Sequence, residues 1–174
     1  MILGIDPGLK GNGLGLILTH GQRVGKLVAV TFVKGHAGRD ASVWAGLALR
    51  TVEEIQKLCE PSMVVIEQPQ IYTRSNVKRK ARHEDILQVA GVVGALAGAI
   101  RLRWEGVEIL SPLPREWKGQ VPKTVHHHRL LNDDLDEQEL ALLEPILSKH
   151  LPDALDGVGL ARWGWKQRLK LSAS

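Results

Sequence analysis

The sequence predicts an α/β domain with a mixed five-stranded sheet and helices on both faces. Its N-terminal part contains three apolar runs joined by short links, which is typical of an antiparallel meander. A segment with helical periodicity follows, and from there strand-like and helix-like segments alternate. Alternation of this kind favours parallel pairing, so antiparallel and parallel strands are both expected in one sheet.

Each predicted strand is bounded by a turn signal or an acidic residue. The first ends at the turn sequence Asp6-Pro7-Gly8, and Gly21 marks the turn between the second and third strands. The fourth is an uninterrupted apolar run with β-branched residues, which indicates a buried central strand, and it ends at Glu67. The five predicted strands span residues 2–6, 14–19, 24–33, 63–66 and 107–110.

The predicted helices are identified by apolar residues at helical spacing, as for Trp44, Leu47 and Ile55 in the first helix. Segment 68–83 is polar and basic without any period, so a long loop is expected there, and long loops in compact domains are usually functional or disordered. A second loop is expected at 111–122, where proline and glycine recur. The predicted helices span residues 40–58, 84–103, 123–132, 136–150 and 152–169.

Length and composition indicate one globular domain covering residues 1–174, with an ordinary hydrophobic share of 44 %. The single cysteine, Cys59, excludes an intrachain disulfide and fits a reducing compartment. The N-terminus lacks the features of a secretory signal, and the longest apolar stretch, Val89 to Ile100, is too short to span a bilayer. A cytoplasmic location is therefore expected.

The net charge of +4 suggests a polyanionic partner only weakly, and its distribution is more informative. One basic cluster lies in the predicted long loop, and another follows in the last predicted helix. A single run of this kind is as readily a solvated face as a phosphate-binding surface. The first cluster contains Arg74, Lys78, Arg79, Lys80 and Arg82; the second contains Arg162, Lys166, Arg168 and Lys170.

Acidic residues stand at the ends of two predicted core strands. Asp6 and Glu67 each follow a largely apolar run, and a lone buried carboxylate is costly unless it is paired, hydrogen-bonded or metal-bound. Asp153 and Asp156 are three residues apart at the start of the last helix, so they share one face. Four such oxygen donors suit hard cations such as Mg²⁺ or Mn²⁺. Two ions about 4 Å apart can hold a phosphodiester and activate water.

Each of these acids has a structural alternative. Asp6 before Pro-Gly is a common turn residue, and Asp153 could merely complement a helix dipole. His150, one helical turn before Asp153, is a candidate ligand or proton carrier, although a lone histidine is more often structural. The tract His126, His127 and His128 looks like a metal site, but consecutive helical residues diverge and cannot easily chelate one ion.

Four segments stand in one order along nearly the whole chain: 2–8 with Gly13 and Gly15, 66–68, 114–119 with Lys123, and 150–156 with 159–161. In order and spacing they resemble the RuvC-type Holliday junction resolvases, the third segment particularly resembling phage-type members. The resemblance implies an RNase H-like fold and a homodimer that cuts four-way DNA junctions at symmetric points. By motif match, it implies metal-binding catalytic roles for Asp6, Glu67, Asp153 and Asp156.

One departure from the family pattern concerns the residue three positions after the glutamate. Family members often carry a phenylalanine there, thought to wedge into the junction, whereas this chain has Gln70. Two alternatives follow: either this loop does not open the junction, or Ile71 and Tyr72 take over that role. Trp117 is interpreted as a packing anchor. Predicted DNA contacts are Tyr72, the basic cluster Arg74, Lys78, Arg79, Lys80 and Arg82, and the lysines Lys118 and Lys123.

Small residues line one face of the helix 84–103, including Gly91, Gly94 and Gly98. Glycine costs roughly 1 kcal/mol against alanine inside a helix, so close packing is expected to compensate, either on the sheet or in a dimer interface.

Other functions stay open: a nuclease of the same fold acting on a hybrid or flap, or a metal-free junction-binding protein. A phosphate-binding kinase or actin-like fold is disfavoured, because those chains are longer and duplicated.

Overall fold

The computed structural model describes residues 1–19, 25–36, 40–70 and 83–172. The predicted turn at Gly21 and most of the predicted loop 68–83 lie outside these ranges. The strands are β1 (Ile2–Gly8), β2 (Gly11–Leu18), β3 (Lys26–Lys34), β4 (Met63–Ile66) and β5 (Glu108–Leu110). The helices are α1 (Ala41–Leu58), α2 (His83–Arg103), α3 (Pro114–Trp117), α4 (Lys123–Arg129), α5 (Glu137–Ala141) and α6 (Leu151–Ser172), with a π-helical turn at Leu130–Asp134.

The predicted mixed five-stranded sheet is confirmed. Its strand order is β3-β2-β1-β4-β5, with antiparallel pairing in the meander and parallel pairing of β1 with β4 and of β4 with β5. Side chains alternate between the two faces of a strand. Leu3 and Ile5 of β1 therefore face α1 and α2, whereas Ile2 faces α6. β1 lies at the centre of the sheet and is covered on both sides.

Several predicted boundaries shift for identifiable reasons. β2 begins at Gly11 rather than at residue 14, because its glycine-rich start is held by pairing with β1 and β3 rather than by side-chain preference. The predicted helix 136–150 was wrong beyond Ala141, where α5 ends. Pro145 has no N–H to donate and its ring clashes with the carbonyl four residues earlier, which prevents continuation of the helix. The helical structure from Lys123 continues through the π-turn to Asp134.

A buried ion pair ties the region around α5 to the rest of the fold. Arg162 of α6 bonds the Glu139 carboxylate at 2.9 and 3.0 Å and also donates to the carbonyls of Gly25 and Asp134. The same carboxylate accepts from the Leu27 amide at 2.6 Å. Arg162, predicted as part of a basic surface run, is therefore an internal crosslink between three parts of the chain.

The outer face of α1 and α2 forms an open apolar groove. Gly94 and Gly98 are exposed, and a Cβ at either position would meet nothing within 4 Å. The alternative that the whole small-residue face packs on the sheet is therefore wrong. Gly91 alone of the three makes a close contact, against the ring of Trp44 on α1. Leu102 at the end of the groove is 92 % exposed.

α2 is also long and apolar enough, by length and composition alone, to cross a membrane, with a mean hydropathy of 1.5 over Glu84–Arg103. The apolar stretch Val89 to Ile100 is shorter than this window, so its length did not predict a helix long enough to cross a membrane. In the fold, Val92, Leu96 and Ile100 are fully buried against the sheet and α1, whereas only 17 % of the apolar window is buried.

Candidate metal-dependent active site

The register of β1 and β4 brings two predicted acids together. These parallel strands pair up to Ile5 and Ile66, and the Glu67 amide donates to the Ile5 carbonyl at 3.1 Å. Asp6 lies within β1, which continues to Gly8 through pairing with β2, so the predicted turn at Asp6-Pro7-Gly8 was wrong. Glu67 directly follows β4, and the two acids therefore lie side by side at the same level of the sheet. Both are placed on the α6 face, because Ile5 and Ile66 point to the opposite face.

The start of α6 lies directly over the Asp6–Gly13 pair of β1 and β2. A Cβ built at Gly13 would overlap the backbone carbonyl of Asp153, so only glycine lets the helix approach this closely. Asp153 and Asp156, one helical turn apart, are thereby set above Asp6. We call this arrangement of four carboxylates on β1, β4 and α6 the acidic floor of the site.

The charge environment shows that the floor carboxylates act on one another. Burial, followed by the charges of Asp156 and Glu67, raises the pKa of Asp6 well above its ordinary value. No hydrogen bond or ion pair reaches the Asp6 carboxylate from the part of the chain described. Burial also raises the pKa of Glu67, although Lys118 and a hydrogen bond from Trp117 oppose the effect. The floor therefore concentrates negative charge that a cation would relieve.

One side of the site is formed by residues 114–129, which we call the wall segment. Its Trp117 indole donates to Glu67 Oε2 at 2.6 Å, and the Lys118 ammonium lies 3.6 Å from the same oxygen. Lys123 reaches Asp156 Oδ2 at 2.5 Å and Asp153 Oδ1 at 3.6 Å. The two lysines predicted to contact phosphate thus lie among the catalytic candidates, which sequence reasoning did not foresee.

His127 completes the wall. Its Nε2 lies 2.8 Å from Asp156 Oδ1. Burial alone would raise the pKa of Asp156, but the His127 hydrogen bond and the ammonium groups of Lys123 and Lys118 hold it below its ordinary value. An ionised carboxylate only accepts hydrogen bonds, so His127 Nε2 is the donor.

The rest of the histidine tract diverges, as expected for consecutive helical residues. His126 packs edge-on against the Trp117 ring, with centroids 5.0 Å apart, and burial lowers its pKa. His128 is exposed. Sequence reasoning set the tract aside as a chelator and thereby missed that one member reaches the site; its signal was only the position of His127 one turn after Lys123.

The remaining predicted site residues fall in two groups. His150 stacks on Phe32 of β3, with ring centroids 3.8 Å apart and planes 12° apart, and the structure gives it no contact with the four carboxylates. The predicted DNA contacts Tyr72, Arg74, Lys78, Arg79, Lys80 and Arg82 lie outside the described residues.

A divalent cation fits the floor by donor chemistry, because all four candidate ligands are carboxylates. Within residues 1–19, 25–36, 40–70 and 83–172, no three acidic, histidine or cysteine side chains are preassembled as a metal cage. Oxygens of Glu67 and Asp156 are instead bound by the side chains of Lys118, Lys123, Trp117 and His127.

Comparison with known proteins locates the chain among junction nucleases. The family model of the crossover junction endodeoxyribonuclease RuvC matches residues 2–116. A curated RuvC of Clavibacter michiganensis is 30 % identical over 120 residues, which span 69 % of this chain and 54 % of that protein. The chain therefore matches about half the length of this curated relative.

Solved structures share the fold. RuvC of T. thermophilus in complex with a Holliday junction substrate superposes with a TM-score of 0.60, at 20 % identity over 97 % of this chain and 95 % of that one. The yeast mitochondrial Holliday junction resolvase gives a TM-score of 0.64 at 15 % identity, over 98 % of this chain and 82 % of that chain. At such identities the likeness establishes the RNase H-like architecture of these resolvases.

Proposed function

Because the chain belongs to the RuvC family of crossover junction endodeoxyribonucleases, we propose that it is a metal-dependent endonuclease that resolves four-way DNA junctions by paired, symmetric phosphodiester hydrolysis. The observation that carries this proposal is the acidic floor, where strand register and helix packing bring Asp6, Glu67, Asp153 and Asp156 to one face. Residues 1–174 act in this proposal as one cytoplasmic nuclease domain.

The four floor carboxylates are the proposed ligands of Mg²⁺ or Mn²⁺, two ions per site. Such ions supply an activated water and stabilise the leaving oxygen of a phosphodiester. The raised pKa of Asp6, which lacks a partner among the described residues, supports cation binding here. His150 is retained as a candidate catalytic residue, although it stacks on Phe32 and would act only after leaving that ring.

Lys118 and Lys123 are proposed to contact the phosphate backbone beside the cut. Both carry their charge at the edge of the floor, with side chains that are 15 % and 42 % exposed. Tyr72 and the basic cluster Arg74, Lys78, Arg79, Lys80 and Arg82 are proposed to extend this surface. Replacing the five cations by alanine should flatten the salt dependence of binding, by about one slope unit per lost phosphate contact.

The proposed assembly is a two-fold dimer, because one chain carries one acidic floor and a junction has two equivalent scissile phosphates. The apolar groove between α1 and α2 supports this assembly, since Gly94 and Gly98 leave room for a second backbone. A Gly94→Leu variant should fold, behave as a monomer in light scattering and lose paired incision. A wild-type monomer at micromolar concentration that still makes paired cuts would refute the dimer.

The direct test is incubation with labelled four-way junction, duplex, flap and RNA–DNA hybrid, with Mg²⁺ or with EDTA. Symmetric cleavage of the junction is expected only with metal. Asp6→Asn and Glu67→Gln should bind the junction and fail to cut it, because they remove ligand charge with little change of shape. Preferred cleavage of flap or hybrid would reassign the substrate. Junction binding without cleavage by the wild type under any divalent ion would make the protein a non-catalytic binder.

A further inference from the structure

Two ring N–H groups of the wall segment each hold one oxygen of a floor carboxylate. Trp117 Nε1 donates to Glu67 Oε2, and His127 Nε2 donates to Asp156 Oδ1. Trp117 is 8 % exposed, so this bond is sheltered from competing water. We propose that Trp117 and His127 are positioning residues that fix Glu67 and Asp156 so that their other carboxylate oxygens face the cation site; this inference rests on the metal-dependent activity proposed above.

The division of oxygens supports this role. On Glu67, Trp117 and Lys118 both approach Oε2, and no partner within the described ranges approaches Oε1. On Asp156, His127 takes Oδ1, and Oδ2 is left to a cationic partner, the Lys123 ammonium. Metal-ligating carboxylates are commonly held by such outer hydrogen bonds, which set their orientation.

Packing behind the two rings indicates that the arrangement is specific. A Cβ at Gly159 of α6 would lie 2.6 Å from the Trp117 ring and 2.6 Å from His126 Nε2. The absence of a side chain at this position lets the indole lie against α6, within reach of Glu67. His126, which directly precedes His127 in the sequence, packs edge-on against the Trp117 indole. Glycine, tryptophan and histidine thus form one supporting layer under the site.

The test compares variants that remove one N–H with matched variants that make the same chemical change elsewhere. Trp117→Phe keeps a ring and removes the donor; its control is Trp104→Phe, because Trp104 is buried in the core between the sheet, α1 and α2, on the face opposite the floor. His127→Leu removes the other donor, and its control is His128→Leu at an exposed neighbour. His127→Gln retains an N–H at a similar reach and serves as the rescue.

The readouts are Mn²⁺ affinity without DNA, from the spin-resonance signal of free ion at fixed pH, and kcat and KM on a four-way junction. Trp117→Phe and His127→Leu should weaken Mn²⁺ binding or kcat by about 10–100-fold, as is usual for lost outer partners of metal ligands, with little change in KM. His127→Gln should recover most of the loss, and both controls should match the wild type. Circular dichroism and Tm establish that each variant folds.

Unchanged Mn²⁺ affinity and kcat in folded Trp117→Phe and His127→Leu would overturn the inference and leave the metal site standing. Loss in His127→Leu without recovery in His127→Gln would overturn the role of the His127 N–H. If Trp117→Phe does not fold, the three His127 and His128 variants decide the question alone. Failure of the proposed function is distinguishable, because wild type and Asp6→Asn would then show the same absence of specific Mn²⁺ binding.

Discussion

The acidic floor and the wall segment are built by different kinds of contact. On the floor, strand register and backbone-to-backbone packing of α6 on Gly13 set the positions of the acids, and side chains contribute little to their spacing. On the wall, four side chains reach across from short helices and a loop to the same acids. The floor therefore has fixed geometry, whereas the wall can be altered one bond at a time.

The largest effect is expected from breaking the floor with Gly13→Ala. The added methyl meets the Asp153 backbone, which cannot move aside as a side chain could. Overpacking of this kind costs about 1–3 kcal/mol, and each kcal/mol lowers Tm by about 2–4 °C in a domain of this size. Calorimetry should show this fall, and cleavage should drop further than the folded fraction, because Asp153 moves relative to Asp6.

The control for this change is Gly46→Ala on α1, where the nearest atom to the new Cβ is a flexible arginine nitrogen at 3.6 Å. Its Tm should equal or exceed that of the wild type, because alanine is favoured over glycine within a helix by about 1 kcal/mol. A Gly13→Ala protein with wild-type Tm and cleavage would show that α6 can shift without consequence, contrary to a rigid floor.

Asp6→Asn is expected to change Tm by less than Gly13→Ala does, and to raise it rather than lower it. The raised pKa of Asp6 means that the folded state holds the proton more tightly than the unfolded state does, so wild-type stability falls as pH rises from the ordinary carboxyl range toward the raised pKa. Asparagine lacks this dependence. In EDTA, the variant should melt above the wild type at about pH 8, and the difference should shrink toward about pH 5.

An exposed acid provides the comparison, since Asp133→Asn makes the same change away from the floor. This variant should keep the pH dependence of the wild type. If Asp6→Asn melts below the wild type at both pH values, the Asp6 carboxylate stabilises the fold. The unfavourable burial and repulsion inferred for this carboxylate would then be refuted.

The smallest expected effect is a change in Mn²⁺ affinity when Lys123 of the wall segment is replaced by methionine. The ammonium of Lys123 holds Asp156 Oδ2, which is a ligand atom of the proposed cation site, so the two are expected to compete for it. The lysine side chain is 42 % exposed, which limits the interaction to roughly 0.5–1 kcal/mol. Removing it should tighten Mn²⁺ binding in titration calorimetry by about 2- to 5-fold, while cleavage falls because a phosphate contact is lost.

Lys57→Met on α1 is the matched change, because Lys57 pairs with Glu54 on the helix surface at 2.9 Å. It should leave Mn²⁺ affinity unchanged. Weaker Mn²⁺ binding in Lys123→Met would show that the lysine orients Asp156 for the ion rather than competing with it, and would place Lys123 with Trp117 and His127 as a support.

The floor was predictable from sequence because two apolar runs are each followed by an acid, and the last helix opens with two acids on one face. Strand ends and helix starts are fixed by local pattern, and the fold then brings them together. The wall was not predictable, because its contacts depend on the direction of individual side chains in a segment of short helices and loops. Trp117 was interpreted only as a packing anchor, and His127 was hidden within a tract that cannot chelate as a unit.

The position of α6 in the chain has a consequence for synthesis. This helix is the last element described, yet it covers the face of the first strands that carries Ile2 and Ile17, together with Met63 of β4. A nascent chain that has not yet released α6 from the ribosome exposes this apolar face and lacks Asp153 and Asp156. Under the proposed function such a chain has only part of its metal site, and its uncovered strands are open to aggregation until the helix packs on them. The packing of α6 therefore completes the acidic floor and buries this face of the sheet in one event.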